Sequence, residues 1–309
     1  MKTLNLGGQL AGASAIALGC MRMDSLSLAD SQKVLATCQD LGINFFDHAD
    51  IYGKGQSESR FGQAWTGLGL ARQDLLIQSK CGLADVWSNY HFDFSKAHII
   101  QAVEGSLKRL QTDYLDVLAL HRPDALMEPE EVAEAFHDLH QAGKVRYFGV
   151  SNQNPGQISL LSSYLDQSLI VNQLEFGPAH TVLLDASLNV NTKDSESINR
   201  DGDVLNYCRL HQVTVQAWSP FQVDLHQGPY MLHPDYQDLR DCLASLALSY
   251  GVSSDALALA WILRHPAKMQ VLVGSMQPWR LVDLAQACRI DVSREDWYRI
   301  YKAGGNRLP

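Results

Sequence analysis

Short apolar runs and amphipathic segments alternate about eight times along the 309 residues of this chain. In the clearest unit, apolar residues recur at helical spacing from Ile99 to Leu110 behind Ser95, a predicted N-cap, and the apolar run 114–121 then predicts a strand. No stretch rich in proline, serine or charge divides the chain, so a single domain over residues 1–309 is expected. This alternation predicts parallel strands joined by helices and closed into a (β/α)8 barrel, the TIM barrel.

The remaining elements follow from the same periodicity. Strands are predicted at 15–19, 42–47, 74–80, 144–151, 169–174, 213–218 and 269–274, and helices at 28–41, 58–70, 129–143, 158–164, 203–211, 239–250 and 256–264. Residues 4–14, with a Gly-Gly pair, predict a small hairpin, whereas 177–201 and 221–235 predict long functional loops at the barrel mouth. A doubly wound sheet is the second possibility, but it favours a Gly-x-Gly-x-x-Gly turn after the first strand, which the sequence lacks there.

Charge and cysteine content narrow the range of partners. Lysine and arginine total 25 against 34 for aspartate and glutamate, and the formal net charge of −9 argues against nucleic acid or an anionic membrane as the main partner. The six cysteines are scattered and form no Cys-x-x-Cys pair, so neither a metal site nor a dithiol redox site is expected. Scattered thiols, an N-terminus without a long apolar core and apolar runs of strand length predict a cytoplasmic protein without a membrane span.

Polar residues stand at the ends of the predicted strands, and a barrel brings such ends to one mouth. Asp47, Lys80 and His121 end three strands, and Tyr52 lies in the loop after the second. Lys80 follows an apolar run, where an unpaired ammonium is costly, so a carboxylate partner such as Asp47 is expected. A cation beside Tyr52 would lower the pKa of its hydroxyl and make it a better proton donor, while His121 could orient a carbonyl.

With these residues in place, the sequence resembles the aldo-keto reductase superfamily over nearly its whole length. Gly-Ile-Asn-Phe-Phe-Asp-His-Ala-Asp-Ile-Tyr-Gly at 42–53 resembles the family segment that holds the catalytic Asp and Tyr. Ile-Gln-Ser-Lys at 77–80 is similar to the catalytic Lys strand, and Leu-Ala-Leu-His at 118–121 to the catalytic His strand. Gly-Val-Ser-Asn at 149–152 and Asn-Gln at 172–173 resemble the strand ends that bind nicotinamide.

The resemblance implies hydride transfer from a nicotinamide cofactor, usually NADPH, to an aldehyde or ketone. Tyr52 would be the general acid, activated by Lys80, which Asp47 pairs and orients, and His121 would polarise the carbonyl. The implied cofactor contacts are Cys20 and Met21 near the first strand, Ser151, Asn152 and Gln173 at the carboxamide, Trp218 stacked on the nicotinamide, and Ser219, Pro220 and Phe221 along the pyrophosphate.

The C-terminal segment 273–280 resembles the family segment that grips the adenosine 2′-phosphate. The residues implied there are Gly274, Ser275, Met276 and Arg280, with Asp283 near the adenine. A guanidinium fork suits a phosphate dianion, so Arg280 fits the phosphate-binding position. Some relatives have Lys where Gly274 stands, so one cation is missing, but NADP(H) remains the expected cofactor.

The expected partner is a small-molecule carbonyl compound, and the chain is expected to be a monomer or a weak oligomer. Trp87 and Tyr90, in the loop after the third strand, are candidates for the substrate mouth. Two other functions stay open. One is a nicotinamide-sensing binding protein with little turnover, as some superfamily members are, and the other is an aldolase in which Lys80 forms a Schiff base.

Overall fold

The structure, a computed structural model, describes residues 1–224 and 226–309; Leu225, within the predicted loop 221–235, lies outside the described residues. In this part of the chain, eight parallel strands close into a barrel, which confirms the predicted fold class. The strands are β1 Thr3–Leu6, β2 Leu10–Ser14, β3 Ile16–Gly19, β4 Phe45–Asp47, β5 Leu76–Cys81, β6 Leu83–Ala84, β7 His91–Phe92, β8 Leu115–Leu120, β9 Val145–Ser151, β10 Leu169–Glu175, β11 Thr214–Trp218, β12 Gln222–Asp224, β13 Gly228–Pro229 and β14 Gln270–Val273. Around the barrel the order is β10-β11-β14-β3-β4-β5-β8-β9, so all eight carboxyl ends meet at one mouth.

The helices lie between the barrel strands and after the last one. They are α1 Leu28–Leu41, α2 Gln56–Gly67, α3 Lys96–Leu110, α4 Pro129–Gln141, α5 Pro155–Ser162, α6 Val182–Leu188, α7 Val204–Leu210, α8 Gln237–Tyr250, α9 Ser254–Leu263, α10 Pro278–Ala285 and α11 Arg294–Ala303. Ser95 caps α3, because its side chain accepts a hydrogen bond from the backbone amide of His98, as predicted. Gly42 ends α1 in the left-handed conformation, with φ 71°, and turns the chain directly into β4.

The antiparallel hairpin of β1 and β2 confirms the prediction for residues 4–14 and closes the end of the barrel opposite the mouth. Leu6 and Leu10 pack there against Phe45 and Ile170, residues near the starts of their strands. Gly7 has φ +58°, and a Cβ at this position would lie 2.4 Å from the Cβ of Ile170. The hairpin therefore approaches the barrel this closely only because its turn contains glycine.

The two long loops are more ordered than their sequences predict. Segment 177–201 contains α6, which buries Leu183 and Leu184, and segment 221–235 contains the paired strands β12 and β13. No helix or strand was predicted from the sequence in these two loops, since a helix of seven residues is too short for its periodicity to stand out. Helices α10 and α11, which follow the last barrel strand, were also not predicted from the sequence.

All six cysteines are buried and free. In the described chain no single helix is long and apolar enough to span a membrane, and α8 with α9 meets that description only as a pair bent by 89°.

Candidate active site

Asp47 and Lys80 form a buried ion pair at the barrel mouth, as expected. Asp47 ends β4, and its Oδ1 lies 2.6 Å from Nζ of Lys80 on β5. The same oxygen accepts hydrogen bonds from Nε2 of Gln78, at 2.7 Å, and of Gln173, at 3.0 Å. Burial acts to lower the pKa of Lys80, but Asp47 and Tyr52 more than offset it, so the pKa is raised and the side chain is an ammonium.

Tyr52 begins a short 3-10 turn that brings its phenol beside this ammonium. Nζ of Lys80 lies 5.2 Å from the centroid of the Tyr52 ring. The turn needs Gly53, with φ +55°, because a Cβ there would lie 2.5 Å from Oδ2 of Asp24. Burial raises the pKa of the Tyr52 hydroxyl, and Lys80 opposes this rise without reversing it. Lys80 thus acts in the expected direction, but the pKa of Tyr52 is raised rather than lowered because burial outweighs the nearby cation.

His121 follows β8 and lies edge-on to Tyr52. The two ring centroids are 6.0 Å apart with planes at 83°, and Nδ1 of His121 is buried without a hydrogen-bond partner among the described residues. Burial, with Lys80 and Arg122 nearby, holds the pKa of His121 well below its ordinary value, so the imidazole is neutral at neutral pH. A neutral imidazole retains one N–H that can donate to a carbonyl oxygen, but it carries no charge.

A cavity of about 410 Å³ opens over these residues. Asp47, Tyr52 and His121 line it together with nine residues expected at the cofactor: Met21, Ser151, Asn152, Gln173, Trp218, Ser219, Pro220, Phe221 and Gly274. Of the two candidates for the substrate mouth, Tyr90 lines the cavity and Trp87 does not. Trp87 is 65% exposed, and Nζ of Lys54 lies 5.1 Å from its ring centroid. Residues far apart in the sequence thus meet at one opening, as strand ends of a barrel do.

Ser151, Asn152, Gln173 and Trp218 are joined by hydrogen bonds into one wall of side chains. Oγ of Ser151 donates to the carbonyl of Gln173 at 3.0 Å, and Nδ2 of Asn152 donates to that Oγ at 2.8 Å. Nε1 of Trp218 donates to Oδ1 of Asn152 at 3.2 Å. Asn152, with φ 57°, and Ser219, with φ 49°, adopt the left-handed conformation that is common at ligand sites. An indole beside amide groups fits a flat ring that carries a carboxamide.

Five of the expected cofactor residues lie outside the cavity lining: Cys20, Ser275, Met276, Arg280 and Asp283. Cys20 is fully buried, and its Sγ donates to the carbonyl of Leu18 at 3.6 Å. Asp283 accepts a hydrogen bond from Oγ of Ser253 at 2.6 Å. The other three stand at or just before α10, next to the cavity rather than in it.

Arg280 is already paired with a carboxylate. Its Nη2 lies 2.7 Å from Oδ2 of Asp255, in the first turn of α9, and both side chains are partly exposed. The guanidinium carbon is 5.4 Å from the ring centroid of Phe221, which lines the cavity. A ligand phosphate at this place would compete with Asp255 for the guanidinium.

Two arginines at the cavity had no role in the sequence analysis. Arg122 directly follows His121, and its guanidinium carbon lies 5.6 Å from the ring centroid of Trp218. Arg22 donates from Nη1 to the carbonyl of Gly274 at 3.1 Å. Each stands next to an expected site residue in the sequence, and that adjacency is the signal that could have found it. Arg22 brings positive charge to Gly274, where a cation had been counted as missing.

His48 follows Asp47 but points into the core. It is fully buried edge-on against Phe61, with ring centroids 4.5 Å apart, and neither ring nitrogen has a hydrogen-bond partner among the described residues. Burial lowers the pKa of His48 to about 3, so the ring is neutral at neutral pH. Within residues 1–224 and 226–309, no three His, Cys, Asp or Glu side chains are grouped to hold a metal ion.

The model of one protein family, described as the Aldo/keto reductase family, matches residues 15–304. This range runs from the first barrel strand to the end of α11. It therefore includes every residue of the cavity and every expected site residue.

Individual relatives match over a similar extent. The chain is 39% identical over 271 residues to the oxidoreductase YdhF of Escherichia coli strain K12, covering 85% of this chain and 84% of that protein. It is 35% identical over 301 residues to the uncharacterized oxidoreductase YcsN of Bacillus subtilis strain 168, covering 94% of each. The solved structure of an aldo-keto reductase from Klebsiella pneumoniae in complex with NADPH is similar with a TM-score of 0.76 and 26% identity, covering 99% of this chain and 96% of that one.

Proposed function

Because the chain belongs to the aldo/keto reductase family and is an NAD(P)H-dependent oxidoreductase, we propose that it transfers a hydride between NADPH and an aldehyde or ketone, with Tyr52 as the proton donor. The proposal is carried by the position of the Tyr52 phenol, which faces the cavity beside the buried ammonium of Lys80. A proton donor and a charge that stabilises its conjugate base are thus next to each other at an opening large enough for a small molecule.

The raised pKa of Tyr52 keeps the phenol protonated at rest, as a donor must be. As the proton moves to the substrate oxygen, the Lys80 ammonium stabilises the forming phenolate. Asp47 holds that ammonium in place through the 2.6 Å ion pair. The neutral ring of His121 donates one hydrogen bond to the same oxygen and so orients the carbonyl against Tyr52.

When bound, nicotinamide supplies the hydride that the carbonyl carbon receives. The wall of Ser151, Asn152 and Gln173 would hold its carboxamide, and the face of Trp218 would lie against its ring. These groups are neutral and prearranged by hydrogen bonds to one another, so they fit an uncharged amide better than a phosphate or a carboxylate.

The preference for NADPH over NADH rests on charge near Gly274. Arg280 stands at one side of Phe221, and Arg22 donates to the carbonyl of Gly274. NADPH carries a 2′-phosphate that NADH lacks, and guanidinium groups bind phosphate dianions strongly.

The aldolase alternative is disfavoured by the state of Lys80. A Schiff base forms from a neutral amine, but the pKa of Lys80 is raised and its Nζ is committed to Asp47. A neutral amine here would also leave the buried carboxylate without its main partner.

The testing experiment separates binding from turnover. The purified protein is titrated with NADPH and with NADH while the fluorescence of its six tryptophans is followed, since Trp218 lines the cavity. A panel of aldehydes, ketones and quinones is then added, and oxidation of the cofactor is followed by absorbance. We expect tighter binding of NADPH and oxidation with at least one carbonyl compound.

Each other outcome contradicts a different part of the proposal. Binding of NADPH without oxidation across the panel would favour the cofactor-sensing alternative. Equal affinity for the two nucleotides would overturn the 2′-phosphate assignment, and failure to bind either would overturn the cofactor site itself.

A further inference from the structure

Four glutamine side chains form a hydrogen-bonded row in the interior of the barrel, and the proposed chemistry uses only one of them, Gln173. Gln173, Gln216 and Gln270 are register partners on the neighbouring strands β10, β11 and β14. Gln78 lies on β5 across the barrel and is the register partner of Asp47. All four glutamines are buried, and buried amides are costly unless they are hydrogen-bonded.

The hydrogen bonds along this glutamine row can run in only one donor-to-acceptor direction. Nε2 of Gln270 donates to the backbone carbonyl of Ser14 at 2.8 Å, and a carbonyl can only accept. Oε1 of Gln270 therefore faces inward and accepts from Nε2 of Gln216 at 2.8 Å. That leaves Oε1 of Gln216 to accept from Nε2 of Gln78 at 2.9 Å and of Gln173 at 3.2 Å. The backbone carbonyl of Ser14, at the closed end of the barrel, thus sets the orientation of the glutamine amides between it and Asp47.

Asp47, at the other end of this glutamine row, agrees with that direction, because its carboxylate oxygen is paired with the Lys80 ammonium and also accepts. Nε2 of Gln173 carries two hydrogens, and both are committed, one to Asp47 and one to Gln216. Oδ1 of Asp47 accepts three hydrogen bonds, and the one from Gln173 is the longest, at 3.0 Å against 2.6 Å from Lys80 and 2.7 Å from Gln78. The bond to Gln216 is longer still, at 3.2 Å, so neither acceptor fixes the amide of Gln173 alone and the two together define its orientation.

We propose that Gln216, fixed in turn by Gln270, is a positioning residue that holds Gln173 with its Oε1 towards the cavity, where this oxygen accepts a hydrogen bond from the amino group of the nicotinamide carboxamide. With both hydrogens of Gln173 committed, this side chain has no donor left for the carboxamide oxygen. The carboxamide must then present its amino group to Gln173, which fixes the direction in which it points. This inference rests on the proposed function, because it requires nicotinamide in this cavity.

The test uses a cofactor analogue that lacks the amino group. Dissociation constants are measured by tryptophan fluorescence for NADP⁺ and for its 3-acetylpyridine analogue, in which a methyl group replaces the amino group. For the wild type we expect NADP⁺ to bind about tenfold more tightly, the size of one good hydrogen bond. In Gln216→Met one hydrogen of the Gln173 amide loses its acceptor and only the bond to Asp47 remains, so the amide is less firmly oriented and we expect the ratio to fall to about two.

Gln78→Met is the matched control. It removes an amide from the same buried layer and also breaks a bond to Gln216, but it leaves both bonds of Gln173 intact. We expect its binding ratio to stay at the wild-type value, although turnover falls because Asp47 loses a donor. A general loss of packing would affect both variants alike. Gln270→Met, at the far end of the glutamine row, should also lower the binding ratio, but by less than Gln216→Met. It replaces Gln216→Met in the test if that variant fails to fold.

Three results would overturn the inference: a wild type that does not distinguish the two nucleotides, a folded Gln216→Met with the wild-type ratio, or equal losses in Gln216→Met and Gln78→Met. With Gln270→Met as substitute, an unchanged ratio has the same meaning. A wild type that binds neither nucleotide would instead overturn the proposed function, and the inference with it.

Discussion

The proton-donor cluster of Asp47, Tyr52, Lys80 and His121 and the C-terminal segment 274–283 are built in opposite ways. In the cluster, the ion pair of Asp47 and Lys80 is almost wholly buried and held by strands and by glutamines of the barrel interior. In the segment, the corresponding ion pair of Arg280 and Asp255 joins two helices, and both partners are partly exposed.

Because of this difference, the geometry of the Asp47–Lys80 pair is fixed before a ligand binds, whereas a phosphate ligand must rearrange the Arg280–Asp255 pair. A buried pair with several hydrogen bonds keeps its geometry because breaking it leaves an uncompensated charge out of water. A partly exposed pair with a single contact contributes much less than a buried network, so a phosphate that approaches Arg280 can displace Asp255 at modest cost. We therefore expect changes in the cluster to affect turnover and stability strongly, and changes in the segment to affect cofactor choice modestly.

The largest effect expected is that of Tyr52→Phe. Removal of a general acid lowers kcat by about 10²- to 10⁴-fold, whereas the ring that lines the cavity is kept, so the Kd for NADPH should stay close to that of the wild type. Steady-state kinetics with the best carbonyl substrate and fluorescence titration measure the two quantities. Tyr164→Phe, the same change on an exposed tyrosine outside the cavity, is the control. A Tyr52→Phe enzyme with wild-type kcat would exclude Tyr52 as the proton donor.

The sequence predicts the barrel and the proton-donor cluster well because both depend on local patterns. Apolar runs mark the strands, and polar residues directly after them mark the mouth, which is why Asp47, Lys80 and His121 could be identified before any contact was known. The structure confirms that Asp47 pairs with Lys80. Their chemical roles stay predictions that the kinetic experiments test.

Other features depend on contacts between distant parts of the chain and could not be predicted in this way. Asp255 and Arg280 meet because α9 packs beside α10, and no local pattern joins them. Gln78 and Gln216 stand in strands far apart in the sequence, and only barrel closure makes them partners. The pKa of Tyr52 follows from the burial of its hydroxyl, which the sequence does not show.

His48, the buried neighbour of Asp47 in the sequence, predicts that the stability of the protein falls in acid. Its pKa is about 3 in the folded chain and about 6.5 when unfolded. The unfolded chain therefore binds one more proton between these values, so stability is full above about pH 6.5 and falls as the pH is lowered, by about 2 kcal/mol at pH 5.

Urea unfolding from pH 7 to pH 5 measures this dependence. In His48→Leu the slope should be shallower by about one proton, whatever the stability of the variant at pH 7. Parallel curves for the two proteins would show that His48 is protonated in the folded chain too, contrary to its burial against Phe61. Arg280→Ala, in the exposed segment, should leave the slope unchanged.

In the C-terminal segment, Arg280→Ala should weaken NADPH binding by about tenfold, since a charge-assisted hydrogen bond to phosphate is lost. NADH has no 2′-phosphate, so its Kd should change little. Arg280→Lys keeps the charge without the planar fork and should lie between the wild type and the alanine variant. Equal losses for NADPH and NADH would show that Arg280 supports the cavity wall near Phe221 rather than the 2′-phosphate.

The smallest effect is expected from Asp255→Asn. This variant tests the comparison of the two regions most directly, because it alters the partly exposed ion pair itself. In the free protein Asp255 holds the guanidinium of Arg280 at 2.7 Å, so the phosphate must displace it. Asparagine keeps an acceptor oxygen but removes the charge, and NADPH should then bind about threefold more tightly, since an ion pair that water reaches contributes about 1 kcal/mol or less. NADH binding should be unchanged, and the double variant Asp255→Asn/Arg280→Ala should show no gain over Arg280→Ala. If Asp255→Asn instead weakened NADPH binding, the pair would be a fixed part of the binding site, and the contrast with the buried pair of Asp47 and Lys80 would not hold.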